Sequence, residues 1–394
     1  MAASSIGLSR FLEAEAPAVS LALDPFNVDA LVAEITSDLN NSSNPPDLDG
    51  LLAKTQRALA FNLVDARLYS LIGEIKYRQG EKDEAYQLFD QARKLSKTEI
   101  RALQRLIGHS IETGDLSKAV GDIDVLLRRW PDQFQAIAQG IPTILSDPQG
   151  YQAVLTAIMA GAPWRPGLFA ALRDTSEGLD AANRLLLDLI GSATPPTRSE
   201  LSGVINGYIG QKKYESAYRL FLFSLTDEER KLGGYVFNST FEPGSGGKPF
   251  DWQVPDQSSL EVTFATSLGA VEGEGGATAR FLNTPVKGAA LQQYIELPPG
   301  SYKISLAASA RNLKLPKELF WSIRCVDPSD AIARLSIPEG TYNRQNLSQT
   351  FTIGSSTCPM QLLRLETATI AESWRFRYIG TLVMHKLSIE RLPS

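Results

Sequence analysis

The chain has 394 residues, enough for two or more domains, and its 43% hydrophobic and 21% charged residues are ordinary for folded material. A formal charge of −5 argues against nucleic acid as a partner, because phosphate recognition needs a concentrated basic field. No apolar run reaches the roughly 18 residues of a membrane span, and Met1-Ala2-Ala3-Ser4-Ser5 lacks the basic and long apolar stretches of a secretion signal.

From the N-terminus, Ser9 to Leu23 reads as the second helix of a repeat whose first helix would lie upstream, so an earlier segment is expected. Leu23-Asp24-Pro25-Phe26-Asn27-Val28-Asp29-Ala30 then returns as Leu59-Ala60-Phe61-Asn62-Leu63-Val64-Asp65-Ala66, and Ala66 follows Ala30 by 36 residues, the length of a two-helix repeat. Stacked hairpins of this kind present a long concave face whose usual task is to hold another macromolecule.

The pattern is clearest where Tyr69, Ile72, Gly73, Ala85, Phe89 and Ala92 occupy the packing positions of a tetratricopeptide unit. Small residues let the two helices approach, and aromatic rings fill the groove they leave. Gly80 and Gly114 stand where each helix needs a left-handed stop, and the next unit continues through Ala119, Ile123 and Leu126 to Trp130-Pro131. Between about 142 and 198 the code weakens, with Pro148, Pro163, Pro166 and Pro195-Pro196 cutting the helices short, which reads as degenerate repeats. A last unit runs through Tyr208, Tyr214, Ala217 and Phe221, closed by Asp227-Glu228-Glu229-Arg230. The helical domain is therefore assigned to 1–232. Its concave face should carry Arg67, Glu74, Arg101 and Arg105 from the first helices, a mixture suited to a protein partner or an anionic polymer.

At Gly233-Gly234 the hydrophobic period changes to alternation. Stretches such as Leu260-Glu261-Val262-Thr263-Phe264 and Tyr302-Lys303-Ile304-Ser305-Leu306 read as strands, separated by Gly and Pro clusters. Residues 233–394 are thus expected to form an antiparallel β-sandwich or jelly roll, making the whole an α+β multidomain chain with an N-terminal α-solenoid. Its two cysteines, Cys325 and Cys358, either pair across 33 positions, which requires an oxidising compartment, or remain two buried thiols.

With both halves read, the chain resembles bacterial tetratricopeptide proteins that carry a C-terminal carbohydrate-binding-like β-sandwich and belong to exopolysaccharide assembly systems. The resemblance is carried by Ala162-Pro163-Trp164-Arg165, by Asn238-Ser239-Thr240-Phe241-Glu242 with Phe250-Asp251-Trp252, by Leu297-Pro298-Pro299-Gly300-Ser301-Tyr302, by Trp321-Ser322-Ile323-Arg324-Cys325, and by Cys358-Pro359-Met360-Gln361-Leu362-Leu363-Arg364-Leu365. It implies a periplasmic placement, with an upstream transmembrane helix anchoring the repeats to the cytoplasmic membrane. The implied partners are a membrane or periplasmic protein of the assembly machine, and polysaccharide.

A sandwich that binds sugar would stack exposed rings on the sugar's C–H face and fix its hydroxyls with nearby polar groups. The candidate rings are Trp252, Trp374, Tyr342 and Tyr294, with Asp251, Glu242 and Arg375 beside them and Asn238 and Gln292 as further polar groups; Trp321, in an apolar strand, reads as core. Trp252 and Trp374 are open to either reading, core or ligand surface, whereas Tyr342 is placed in an exposed loop. No cofactor and no catalytic metal is expected, although Glu242 with Asp251 is the one local pair suggestive of a structural calcium ion. His109 and His385 fit no zinc pattern, neither cysteine has a histidine neighbour, and Gly244-Ser245-Gly246-Gly247-Lys248 precedes Pro249 where a phosphate loop would start a helix. The expected role is a non-catalytic scaffold; a pure protein-protein adaptor and a polysaccharide-modifying enzyme are the alternatives.

Overall fold

In the computed structural model the backbone is described for residues 2–41, 45–243, 247–255, 258–265, 275–286, 288–327, 329–354, 358–368 and 375–393. The chain forms two compact units, Met1–Ala171 and Leu172–Ser394.

The first unit starts with helices α1 (Ala2–Leu12) and α2 (Pro17–Leu23). The single helix read through Leu23 is thus broken, because Pro17 suits the first turn of a new helix rather than the interior of an old one. Helical hairpins follow: α3 (Val28–Asn40) with α4 (Leu48–Phe61), α5 (Ala66–Arg78) with α6 (Lys82–Leu95), and α7 (Ile100–Glu112) with α8 (Leu116–Arg129). Each first helix starts on a side-chain cap: Asn27 accepts from the Ala30 amide, Asp65 from Arg67 and Glu99 from Ala102.

Lys82 lies 34 residues after Leu48, Leu116 lies 34 after Lys82, and Ile100 lies 34 after Ala66. The structural period is therefore 34 from α4 onward, Ala66 follows Val28 by 38, and the 36-residue echo does not superpose equivalent helix positions. Val28 begins its helix directly after its cap, while Val64 precedes the cap Asp65. Within the α5/α6 hairpin the small-residue rule has a direct cause, since a Cβ on Gly73 would lie 2.8 Å from the Phe89 ring. Gly80 and Gly114 have φ of +88° and +78°, the left-handed stops that the turns require. The stretch read as degenerate is broken into α9 (Phe134–Ala138), α10 (Ile141–Ser146), α11 (Pro148–Met159) and α12 (Arg165–Leu172), with a proline in the first turn of α10 and of α11.

The second unit contains α13 (Ser176–Leu189), the hairpin α14 (Arg198–Gly210) and α15 (Tyr214–Phe223), the short α16 (Asp227–Arg230), and the sandwich. Capping boxes start α14 and α16, through Thr197 with Glu200 and Thr226 with Glu229.

The strands are β1 (Leu260–Ala265), β2 (Gly276–Thr284), β3 (Ala289–Ile295), β4 (Gly300–Lys314), β5 (Leu319–Cys325), β6 (Ala331–Ser336), β7 (Gly340–Ile353), β8 (Gln361–Thr367) and β9 (Tyr378–Arg391). They form a five-stranded sheet, order β1-β2-β9-β4-β7, and a four-stranded sheet, order β3-β8-β5-β6, and every pairing is antiparallel. Inward residues of both sheets, among them Tyr302, Leu306, Trp321, Leu363, Tyr378 and Met384, close one core. Cys325 and Cys358 form a disulfide with Cα atoms 5.3 Å apart, tying the end of β5 to the segment that enters β8. An N-terminal α-solenoid of tetratricopeptide type is thus followed by an antiparallel β-sandwich. Among the described residues no helix is long and apolar enough to cross a membrane.

Candidate functional sites

On the solenoid, one face of α5 and α7 gathers Glu74, Arg101 and Arg105 from the sequence-derived set and adds Arg78. Glu74 is only 4% exposed. Its carboxylate accepts two hydrogen bonds of 2.8 Å from the Arg105 guanidinium and one of 2.8 Å from Arg78 Nε. Burial pushes the Glu74 carboxyl up, but those hydrogen bonds outweigh it and hold the group below its ordinary range.

Arg101 differs from its neighbours. Its one hydrogen bond to a described residue runs from Nη2 to Thr36 Oγ1 at 3.2 Å, reaching across from α7 to α3. Burial lowers its pKa; Glu99 and Glu74 oppose that effect, and the like charges of Arg78 and Arg105 add to it. Glu99 is already engaged, accepting from Ser70 Oγ and capping α7 at the Ala102 amide. Arg67 does not join the group. It is held by Asp65 and by Asp29 of α3, which raise its pKa.

A second feature escaped the sequence reading. Phe26 and Phe61 are 66% and 70% exposed and meet edge to face at 5.3 Å. With Leu21, Val28 and Ala58 they line a cavity of about 510 Å³, rimmed by Lys54 and Arg57. Both phenylalanines lie inside the echoed segment, whose recurrence gives the length of a repeat but not the pairing of these two rings.

In the sandwich the structure corrects most of the sugar-site candidates. Trp252 is 4% exposed, stacks on Phe241 at 4.9 Å and donates from Nε1 to the Asn238 carbonyl, so it is core and offers no platform. Asp251 is fully buried, and its Oδ1 accepts from the Trp252 amide at 2.7 Å. Asn238, at φ +52°, exchanges side-chain hydrogen bonds with the Glu242 amide and carbonyl, which makes residues 238–242 a tight corner. The Asn238-to-Trp252 motif is therefore a folding device built around a buried aromatic pair.

Tyr342 lies in β7 opposite Ala310 and not in a loop; its ring packs on the core, and burial pushes its hydroxyl up to about 12. Tyr294 is half-buried, 6.2 Å from the Phe250 ring, and lines with Tyr218, Phe237 and Glu296 a crevice of about 30 Å³. That space admits a water or two and no sugar ring. Gln292 pairs with Gln253, Arg375 is exposed, and Trp374 lies outside the described residues. Among the described residues no sandwich aromatic is fully exposed.

The outward face of the five-stranded sheet instead carries hydroxyl and amide groups: Ser305 on β4 is opposite Ser348 on β7 and Ser388 on β9, with Asn346 opposite Ala307 and Ser309 opposite Val383 alongside. His385 is held there between Ser309 Oγ at 2.8 Å and the Gly275 carbonyl at 3.1 Å, while His109 stacks on Tyr86 at 3.8 Å in the solenoid. Glu242 and Asp251 belong to no group of three: among the described residues no three His, Cys, Asp or Glu side chains gather as a metal site would need. Lys248, the last residue of the phosphate-loop-like run, is 5% exposed and ion-paired with Glu229 at 2.8 Å. That pair, with Phe221 set 5.2 Å from both Phe237 and Phe250, fastens the last helices to the sandwich.

No family model matches the chain, and no curated protein matches it. Solved structures similar to it include a CBM4 module (17% identity, 40% of this chain and 99% of that one, TM-score 0.30). TmCBM61 in complex with β-1,4-galactotriose is similar at 19% identity, over 41% of this chain and 99% of that one, with a TM-score of 0.28. The CBM22-1 xylan-binding domain of Paenibacillus barcinonensis Xyn10C is similar at 13% identity, over 40% of this chain and 93% of that one, with a TM-score of 0.28.

Proposed function

We propose that the chain is a non-catalytic scaffold of bacterial exopolysaccharide synthesis or export, its solenoid docking a protein of the membrane or periplasmic assembly machine while its β-sandwich contacts glycan or braces the complex. The observation that carries this reading is the stack of helical hairpins, whose first helices bring Thr36, Glu74, Arg78, Arg101 and Arg105 to one charged face. Arrays of this kind hold other macromolecules along such faces. The exopolysaccharide context comes from the motif resemblance. The disulfide fits an oxidising compartment, in keeping with a periplasmic position beside an upstream anchor.

Both histidines and both cysteines have structural partners, which favours scaffold over enzyme. The burial of Trp252 favours bracing over ring stacking, and any sugar contact would fall to the hydroxyl-bearing outer sheet face or to Trp374.

Cross-linking and pull-down from the native envelope is the test. Recovery of polysaccharide synthesis or export proteins is expected, and recovery of cytosolic proteins unrelated to glycans would sink the reading. Calorimetric titration of the full chain with the cognate polymer separates the variants: no heat leaves a pure protein-protein adaptor, and shortened polymer would reveal an enzyme.

A further inference from the structure

The face of α3, α5 and α7 holds three guanidinium groups whose charges are not met in kind. Arg78 and Arg105 share the single carboxylate of Glu74, and Arg101 makes only a hydroxyl contact, to Thr36. Among the basic residues of this unit that reach across to another helix, Lys54 is met by Glu34, Arg67 by Asp29 as well as by its neighbour Asp65, and Arg93 by Asp122. A half-buried cation without a counterion costs stability, because desolvation is not offset by an ion pair. Its planar fork, with donors still open, is the group best shaped to take a carboxylate from outside.

We infer that Arg101, flanked by Arg78 and Arg105, receives a carboxylate from an acidic segment of the docked protein. This rests on the docking reading above and adds to it the chemistry of the partner. The incoming carboxylate accepts from the Arg101 guanidinium, and the neighbouring guanidiniums favour its negative charge. Arg105 is itself fixed, by Glu74 and by the Tyr77 ring 4.1 Å beneath it, so the site is formed before the partner arrives. An anionic polysaccharide is the less fitting occupant. A regular polyanion matches a stripe of unneutralised cations, whereas here the excess charge is concentrated at one point and Arg67 is already neutralised.

The test uses the full chain with hexaglutamate, hexaglutamine and a galacturonate hexamer as probes, read by calorimetry and thermal denaturation at low salt. Hexaglutamate should bind and raise Tm, and hexaglutamine should do neither. Arg101→Met should weaken hexaglutamate binding at least tenfold while leaving Tm unchanged or higher, since it removes an uncompensated cation. Thr36→Glu, which places a carboxylate beside Arg101, should raise Tm and block the probe, and it keeps the test open if the first variant folds poorly.

Equal binding by Arg101→Met, no binding of hexaglutamate to the parent chain, or binding of galacturonate alone would each overturn the inference. The two levels separate in the pull-down. Recovery of the same assembly protein by parent and Arg101→Met chains removes this site and leaves the scaffold standing. Recovery of cytosolic proteins by the parent removes the scaffold.

Discussion

The solenoid hairpins and the β-sandwich handle their prominent side chains in opposite ways. In α5 to α8 the residues that pack are small or aromatic at fixed spacings, and the charged residues between them keep to one helix face, where the half-buried Arg78 and Arg105 hold the buried Glu74 and Arg101 lies beside them. In the sandwich the residues that look most like ligand contacts are the ones the core consumes. Trp252 stacks on Phe241, Asp251 caps its neighbour's amide, and Tyr342 turns inward from β7. A repeat helix packs only against near neighbours, so its outward face stays legible. A sandwich strand has two faces, and which one is inward depends on partners far along the chain.

The sharpest way to break this contrast is Trp252→Ala. As a core deletion it should cost about 3–5 kcal/mol in chemical denaturation. If Trp252 were a sugar platform instead, stability would barely change and glycan affinity would fall.

Reduction of the Cys325–Cys358 bridge, or Cys325→Ser with Cys358→Ser, should cost about 4 kcal/mol by loop-closure arithmetic for its 33-residue separation. The loss should lie in the second unit, and hydrogen exchange of α5 to α8 should be unchanged; faster exchange there would show that the two regions do not unfold independently.

The pair that fastens α16 to the sandwich comes next. Lys248→Met leaves Glu229 nearly buried without its cation, at a cost of about 3 kcal/mol, which Glu229→Gln in the same chain should partly restore. Burial pushes the Glu229 carboxyl up, but hydrogen bonds from Lys248 and Thr226 more than offset it, so its folded pKa lies below the unfolded one. The stabilisation from this group is therefore full above the unfolded value near 4.5 and is lost as pH falls through the lower folded value. An acid titration of the Lys248→Met chain should lack that component, and an unchanged titration would remove Glu229 from the account.

The smallest effect belongs to the solenoid. Gly73→Ala puts a methyl 2.8 Å from the Phe89 ring and should cost about 1–3 kcal/mol by overpacking. Neutrality would mean that the close helix approach is not required.

Much of the fold was readable from residue order. The hairpins, the left-handed glycines 80 and 114, the degeneracy after residue 141 and the change to strands are local patterns in which period and punctuation suffice. The candidate sites were less readable, and for identifiable reasons. Arg101 and Arg105 follow from helix phase, but that Glu74 would neutralise Arg78 and Arg105 and leave Arg101 without a carboxylate depended on how α3, α5 and α7 stack. Charged neighbours made Trp252 look exposed, but Asp251 turned out to be a buried cap.

What the sequence by itself determined is the succession of elements: helix caps, a hairpin period and alternating strands arise from interactions a few residues long. Only the tertiary structure decided which polar and aromatic groups reach solvent. That outcome is set by pairings such as β2 with β9 and β4 with β9, and by the joining of Glu229 to Lys248, contacts between segments whose proximity no local pattern encodes.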